Sequence, residues 1–230
     1  MNYITGDAHR DFRRVAYYCD TMETRPQEVM IILGDASINY FGGQKDRELK
    51  RMLSELPITL FCIHGNHEQR PKTLPGYREV QWHGGTAYMD DEFPNLLFAK
   101  DGEIYDFDGK RCLVIGGAYS VDKASRLENG WGWWSDEQPS EAIKCAVEAQ
   151  LKACGHRVDV VLSHTAPLKY EPTETFSSAI DQSIVDKSTE RWLDSLENRL
   201  AYDRWYCGHY HTEKRVGKLT FLYRSILSFS

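Results

Sequence analysis

The sequence predicts an α/β protein in which two packed sheets carry helices on their outer faces. Three observations lead there. β-branched apolar runs alternate with helical patterns through the first half, residues 77–115 give short strands broken by turn signals, and the last residues read as a hairpin. This mixture points to two sheets more than to one doubly wound sheet.

The strand-like runs are NYIT (2–5), VMIIL (29–33), ITLFCI (58–63), RCLVIGG (111–117), VDVVLS (158–163) and DRWYC (203–207). Helical stretches separate several of them, so the first half reads as βαβαβ with parallel strands. The clearest helix covers 140–153, where Ile143, Val147 and Leu151 recur every four residues behind Ser140, a good N-cap. In the middle, Gly84-Gly85 marks a turn, and Asp108-Gly109 between EIYDF and KRCLVI marks a hairpin. EKRVGKLTFLYRS turns around Gly217 in the same way.

At 230 residues, 41% hydrophobic and 27% charged, with no linker-like tract and no repeat, residues 1–230 are expected to form one domain. The longest apolar runs fall far short of the roughly 20 residues that span a bilayer, so no membrane partner is expected. MNYITGD lacks a basic region followed by an apolar stretch, and the expected location is cytoplasmic. The six cysteines contain no C-x-x-C pair and are expected to be buried free thiols. A net charge of -6 argues against a grip on long nucleic acid, which needs clustered Lys and Arg. It leaves a small phosphorylated substrate open, because bound cations reverse the local field of a cleft.

Every strand-like run but one delivers polar residues beside glycine or at a corner. The first ends in Gly6-Asp7-Ala8-His9, the second in Gly34-Asp35 and the third in Gly65-Asn66-His67-Glu68. Later ones deliver Ser163-His164 and Gly208-His209-Tyr210-His211. Ligands of open α/β sheets bind beyond the carboxyl ends of strands, so these corners are expected to meet at one cleft. Asp7, His9, Asp35, Asn66, His164, His209 and His211 then offer oxygen and imidazole donors without a thiolate. Such a set suits Mn, Fe, Zn or Ni, and seven donors suit two ions with room for water. Alone, each of these residues reads as an N-cap or a solvated histidine; five such corners in fixed order do not.

The order D-x-H, G-D, G-N-H-E, an isolated H and G-H-x-H resembles the calcineurin-like metallophosphoesterase family, over nearly the whole chain. That resemblance implies a four-layer αββα sandwich of two mixed sheets and a phosphatase or phosphodiesterase activity on phosphate mono- or diesters. It also implies two divalent cations, with manganese the leading candidate. By the family pattern Asp7, His9, Asp35 and His211 hold the first ion, and Asp35, Asn66, His164 and His209 the second. His67 would then assist the leaving group of an ester attacked by metal-activated water. The alternative is a catalytically silent metal-binding interaction module on the same fold.

The chain departs from the protein serine/threonine phosphatases of that family. Where they carry G-D-x-V-D-R-G it has GDASINY, so Ile38 and Asn39 replace the aspartate beside the catalytic histidine and a phosphate-binding arginine. Asn39, Asp46 and Glu68 remain as candidates to orient His67. Residues 116–140 resemble an insert of compact stand-alone bacterial and phage-type members. There Lys123 and Arg126 are candidates to meet a phosphate and Trp131, Trp133 and Trp134 to form an apolar wall, against the plainer reading that the tryptophans pin the loop and Arg126 pairs with an acid. Arg70 is expected to brace its loop. His64 and His83 are placed near the cleft without a role, and His156 on the surface.

Overall fold

The structure is a computed structural model and describes residues 1–229. The chain begins β1 (Asn2–Thr5), α1 (Arg13–Met22), β2 (Val29–Ile32), α2 (Gln44–Ser54), β3 (Thr59–Cys62). Five strands follow: β4 (Tyr77–Trp82), β5 (Gly85–Asp90), β6 (Leu96–Ala99), β7 (Ile104–Phe107) and β8 (Lys110–Ile115). The remainder is α3 (Lys123–Asn129), α4 (Glu141–Ala153), β9 (Val160–Ser163), α5 (Ser188–Glu197), β10 (Arg204–Cys207), β11 (Lys214–Val216), β12 (Leu219–Phe221) and β13 (Ile226–Phe229). Seven strands form one sheet in the order β13-β1-β2-β3-β6-β5-β4, and six form the other in the order β11-β12-β10-β9-β8-β7. Both sheets are mixed.

The two-residue period of a strand explains the layers. Along β2, Val29 and Ile31, with Leu33 just beyond, point between the sheets, where they meet Ile4, Phe61, Val114, Leu162 and Tyr206. Met30 and Ile32 point the other way, onto Val15 and Cys19 of α1 and Leu49 and Leu53 of α2. The second sheet repeats the arrangement: Leu113, Ile115, Val161 and Trp205 pack on Val147 and Leu151 of α4 and Leu193 and Leu196 of α5. Each such side chain contributes roughly 1.5–3 kcal/mol on burial, and three apolar layers hold the four-layer sandwich together.

Local signals place the elements close to their expected ends. Ser140 caps α4, its Oγ accepting from the Ile143 amide at 3.3 Å, and the buried face is the one carrying Val147 and Leu151. Both anticipated hairpins form, β7–β8 around Asp108-Gly109 and β11–β12 around Gly217. β13 is an addition, pairing antiparallel with β1 across almost the whole chain length. All six cysteines are free, but Cys145 is exposed and Cys154 half-buried, so the expectation of burial holds for the other four. Among the described residues no helix is long and apolar enough to cross a membrane.

β1, β2 and β3 run parallel, as do β8, β9 and β10. The carboxyl ends of β1, β2, β3, β9 and β10 carry the five polar corners.

Candidate metal centre

Backbone and side-chain hydrogen bonds stitch these corners to one another. His9 and Ala8 donate their amides to the Asp35 carbonyl, at 2.7 and 3.2 Å, joining the first corner to the second. The His67 amide donates to Asp35 Oδ1 at 2.8 Å, adding the third. His164 Nδ1 lies 2.8 Å from the Leu33 carbonyl, and the Gly208 amide donates to the His164 carbonyl at 2.9 Å. The circle closes where the His209 amide donates to Asp7 Oδ1 at 2.9 Å. Behind it, Arg14 of α1 donates to the carbonyls of Gly6 and Asp7, which fixes the first turn.

The corners are also strained. His9, Asp35, His209 and His211, four of the seven predicted donors, have positive φ of 45°, 47°, 66° and 49°. Non-glycine residues rarely take this conformation, which costs roughly 1–2 kcal/mol each and is retained where surroundings over-determine it, typically at functional sites. Two glycines let the corners approach. A Cβ on Gly65 would stand 2.0 Å from Asp35 Oδ1, and one on Gly208 would stand 2.3 Å from Asp7 Oδ1.

The side chains converge accordingly. Ligand atoms of Asp7, His9 and His211 lie within 4.8 Å of one another, as do those of His9, Asp35 and His67 and those of Asp7, Asp35 and His164. Asp7 and Asp35 each belong to two of the three groups. His9 Nε2 and His211 Nε2 face each other at 2.9 Å, and His211 Nε2 lies 3.1 Å from Asp7 Oδ2. Asn66 Oδ1 sits 2.9 Å from His164 Nε2. His209 stands outside those three groups, its ring packed edge-on to that of His164 at 5.0 Å. His211 is steadied from outside by Tyr223, whose ring stacks on it at 4.4 Å.

Burial alone would raise the two carboxyl pKa values, yet both are held low. The nearby imidazoles of His211 and His9 keep Asp7 below its ordinary value, and the charges of His164 and His67 do the same for Asp35. Burial would likewise lower His164, but the Asp35 charge and hydrogen bond outweigh it and lift its pKa to about 9. Burial and the His164 charge push His209 down to about 3. The centre therefore consists of ionised carboxylates among imidazoles. Asp7 Oδ2 is buried, and although His211 Nε2 approaches to 3.1 Å and His9 Nε2 to 3.6 Å, neither completes a well-aligned hydrogen bond. An orphan carboxylate oxygen ringed by imidazole nitrogens fits a cation: it is an unmet lone pair whose burial without a partner is costly. His164, bonded through Nδ1 to a backbone carbonyl, is also arranged as ligating histidines are, with Nε2 facing inward onto Asn66 and Asp35.

Comparison with known proteins agrees with this geometry. The calcineurin-like phosphoesterase family model matches residues 3–213. The chain belongs to that family. In fold, this chain is similar to the crystal structure of TT1561 of Thermus thermophilus, with a TM-score of 0.51 and 11% identity over 96% of this chain and 87% of that one. A second solved chain superposes with a TM-score of 0.49 and 11% identity, over 96% of this chain and 88% of its own. Family and donor set together make the centre a candidate for divalent metal binding.

His67 has a partner here that the sequence did not pair with it. Arg126 Nη2 lies 2.6 Å from its Nδ1 and 3.0 Å from its Nε2. Arg126 is nearly buried, with Nε on Asp122 at 2.7 Å and Nη1 on the Gly132 carbonyl at 2.9 Å. The i,i+4 spacing of Asp122 and Arg126 was the legible half of this arrangement. Of the three residues considered as partners for His67, Asn39 instead accepts from the Tyr77 hydroxyl, Asp46 pairs with Arg10 and Glu68 accepts from the Gly65 amide. Burial pushes the Glu68 pKa up to about 8. Burial also lowers His67, and the Arg126 charge adds to that against the pull of Asp35.

Residues 116–140 reach the centre a second time. Asn66 Nδ2 donates to Ser120 Oγ at 3.0 Å, and Ser120 Oγ donates to Glu137 Oε2 at 2.6 Å. This buried chain turns the Asn66 amide so that its oxygen faces inward, and nothing in the sequence pattern marked Ser120 or Glu137. Trp134 packs edge-on to Tyr40 and pins the loop to the body, whereas Lys123 lies over Trp133 at 4.2 Å within the loop itself and Trp131 stays exposed. Arg70 braces its loop as expected, through Asp101 at 2.5 Å and the Asp136 carbonyl at 2.8 Å. His83 is exposed, Nδ1 2.7 Å from the Asp106 carbonyl, and His156 is half-buried beyond α4. His64 is buried, and burial with the nearby Arg70 charge holds its pKa well below the usual value.

Proposed function

We propose that the chain is a phosphoric ester hydrolase working with two divalent cations, residues 1–230 acting as one catalytic domain. Asp7, His9, Asp35 and His211 hold one cation, and Asp35, Asn66, His164 and His209 the other, with Asp35 common to both. The donor chemistry suits manganese, with iron, zinc or nickel as substitutes. Bound there, the pair supplies Lewis acidity that acidifies a water for attack near neutral pH and offsets charge on the phosphoryl oxygens.

The chain's own residues do the rest. Asp7 and Asp35 bring the negative charge that holds cations, and Ser120 keeps the Asn66 oxygen turned inward. His67 follows Asn66 on the same corner, its ring 22% exposed and Nε2 3.9 Å from Asp35 Oδ2. From there it assists the departing oxygen of the ester, by an N–H bond to the developing charge or by handing over a proton. Arg126 keeps the ring in place and is the cation next to His67 that a phosphoryl group would meet. The substrate is a small phosphorylated molecule or a nucleotide, as mono- or diester. Ile38 and Asn39, where protein phosphatases carry aspartate and arginine, argue against a phosphoprotein.

The observation that carries this reading is the orphan Asp7 Oδ2 inside a closed circle of hydrogen-bonded corners. The test is hydrolysis of chromogenic mono- and diesters with Mn²⁺ by the wild type, His67→Ala and Asp35→Ala. Turnover by the wild type alone supports it; equal rates in all three proteins contradict it.

A further inference from the structure

A cavity of about 210 Å³ opens beside the centre, between residues 119–121 and the irregular segment 171–187, with His209 and Tyr210 on its wall. That is below the roughly 300–1,000 Å³ of pockets that bury drug-sized ligands, so it has room for one ring system and not for a whole nucleotide. Tyr119, Phe176, Ile180, Val185 and Tyr210 make most of the wall apolar. The Phe176 ring stacks on that of Tyr210, at 15° and 6.2 Å, and Lys187 sits over it at 5.0 Å. Tyr119, Phe176 and Ile180 are only half-buried, so an occupant can reach them.

The charged groups on that wall exclude a second anion. Lys187 is its one lysine or arginine, and Glu171 takes it at 2.7 Å. Asp186 and Glu190 line the cavity as well, and their oxygens accept from the neutral Gln138, Ser188 and Thr165. An uncharged occupant is therefore favoured. His209, a candidate metal donor, lines the cavity, whereas Asn66, His67 and Arg126 do not. In an in-line displacement the attacking and departing oxygens lie opposite each other, and the substituent that stays on phosphorus projects to the side. With His67 at the departing oxygen, the cavity falls to the substituent that stays. We propose that this cavity receives an uncharged ring on the retained arm of a phosphodiester, an inference that rests on the hydrolysis proposed above. It makes diesters the preferred class, because a monoester has no retained arm.

Benzyl 4-nitrophenyl phosphate and methyl 4-nitrophenyl phosphate release the same 4-nitrophenolate and differ only in the arm that stays. With Mn²⁺ present, kcat/KM is expected to be at least tenfold higher for the benzyl ester, chiefly through KM. The preference should vanish for the 4-carboxybenzyl ester. It should vanish too in Ser177→Trp, where an exposed residue of the wall is enlarged to fill the cavity without entering the core. Equal kcat/KM for the benzyl and methyl esters would overturn the proposal, as would a benzyl preference that survives Ser177→Trp. If neither ester turns over, the hydrolase reading falls by itself, and a chemical-shift titration of the metal-free protein with benzyl alcohol decides the cavity. Saturable shifts at the Phe176 and Ile180 amides that Ser177→Trp abolishes support the ring site; no shift at the solubility limit overturns it.

Discussion

The strand-end corners and residues 116–140 reach the same centre by opposite means. The corners are short turns on buried strands, cross-linked by backbone hydrogen bonds and at His9, Asp35, His209 and His211 held at positive φ, and they present all seven candidate metal donors. The 116–140 segment carries one short helix and approaches through single side chains, Arg126 onto His67 and Ser120 onto Asn66. Donors that must hold a cation at fixed distance are built on rigid elements, whereas groups that steady or meet a substrate are delivered by a loop. The contrast predicts a ranking of damage.

Asp35→Ala removes both the carboxylate proposed to be common to the two cations and the acceptor of the His67 amide. Activity on a chromogenic diester should fall by at least ~10³-fold, the loss expected when several kcal/mol of charge stabilisation disappears. His67→Ala leaves the candidate metal donors in place and removes only the group proposed to assist the leaving oxygen, so kcat should drop by roughly 10²-fold or more with metal content unchanged. A leaving group that departs without protonation, such as p-nitrophenolate, should suffer less than an alkoxide; equal losses would remove His67 from that role.

Ser120→Ala tests whether the loop tunes the corner. Without Ser120 Oγ the Asn66 amide is free to rotate, and Mn²⁺ affinity should weaken by about 10–100-fold, the range seen when outer partners of metal ligands are lost. Unchanged affinity would confine the loop to a covering role. Arg126→Ala should spare metal affinity and change kinetics alone.

Acidity sharpens the same comparison. Without a cation His164 keeps its proton up to about pH 9, because Asp35 lies beside it. A cation taking Nε2 must displace that proton, so affinity should rise about tenfold per pH unit from about pH 6 to 9 and then level off. A flat profile would mean that His164 is not a ligand. The smallest effect is expected at Trp131, which is 57% exposed: Trp131→Ala should shift stability by no more than about 0.5 kcal/mol and leave turnover of a small diester intact.

Much of this was legible because the signals are local. The unbroken apolar run VMIIL gives a strand buried on both faces, Ser140 with Ile143, Val147 and Leu151 gives a capped helix, and each corner's donors sit next to the run that positions them. What escaped depends on distant partners. β13 is four residues long and finds its place only by pairing with β1, and Arg126 meets His67 across 59 residues of chain. Ser120 and Glu137 look like ordinary loop residues until the fold brings Asn66 against them. Cys145 was misjudged for a plainer reason: two positions beyond Ile143, it turns to the solvent side of α4.

Diffraction at the manganese absorption edge, from crystals grown with excess Mn²⁺, addresses the central claim most directly. Two anomalous peaks per chain are predicted, one among Asp7, His9 and His211 and one among Asn66, His164 and His209, with Asp35 reaching both. A single peak, or none, would contradict the two-cation centre.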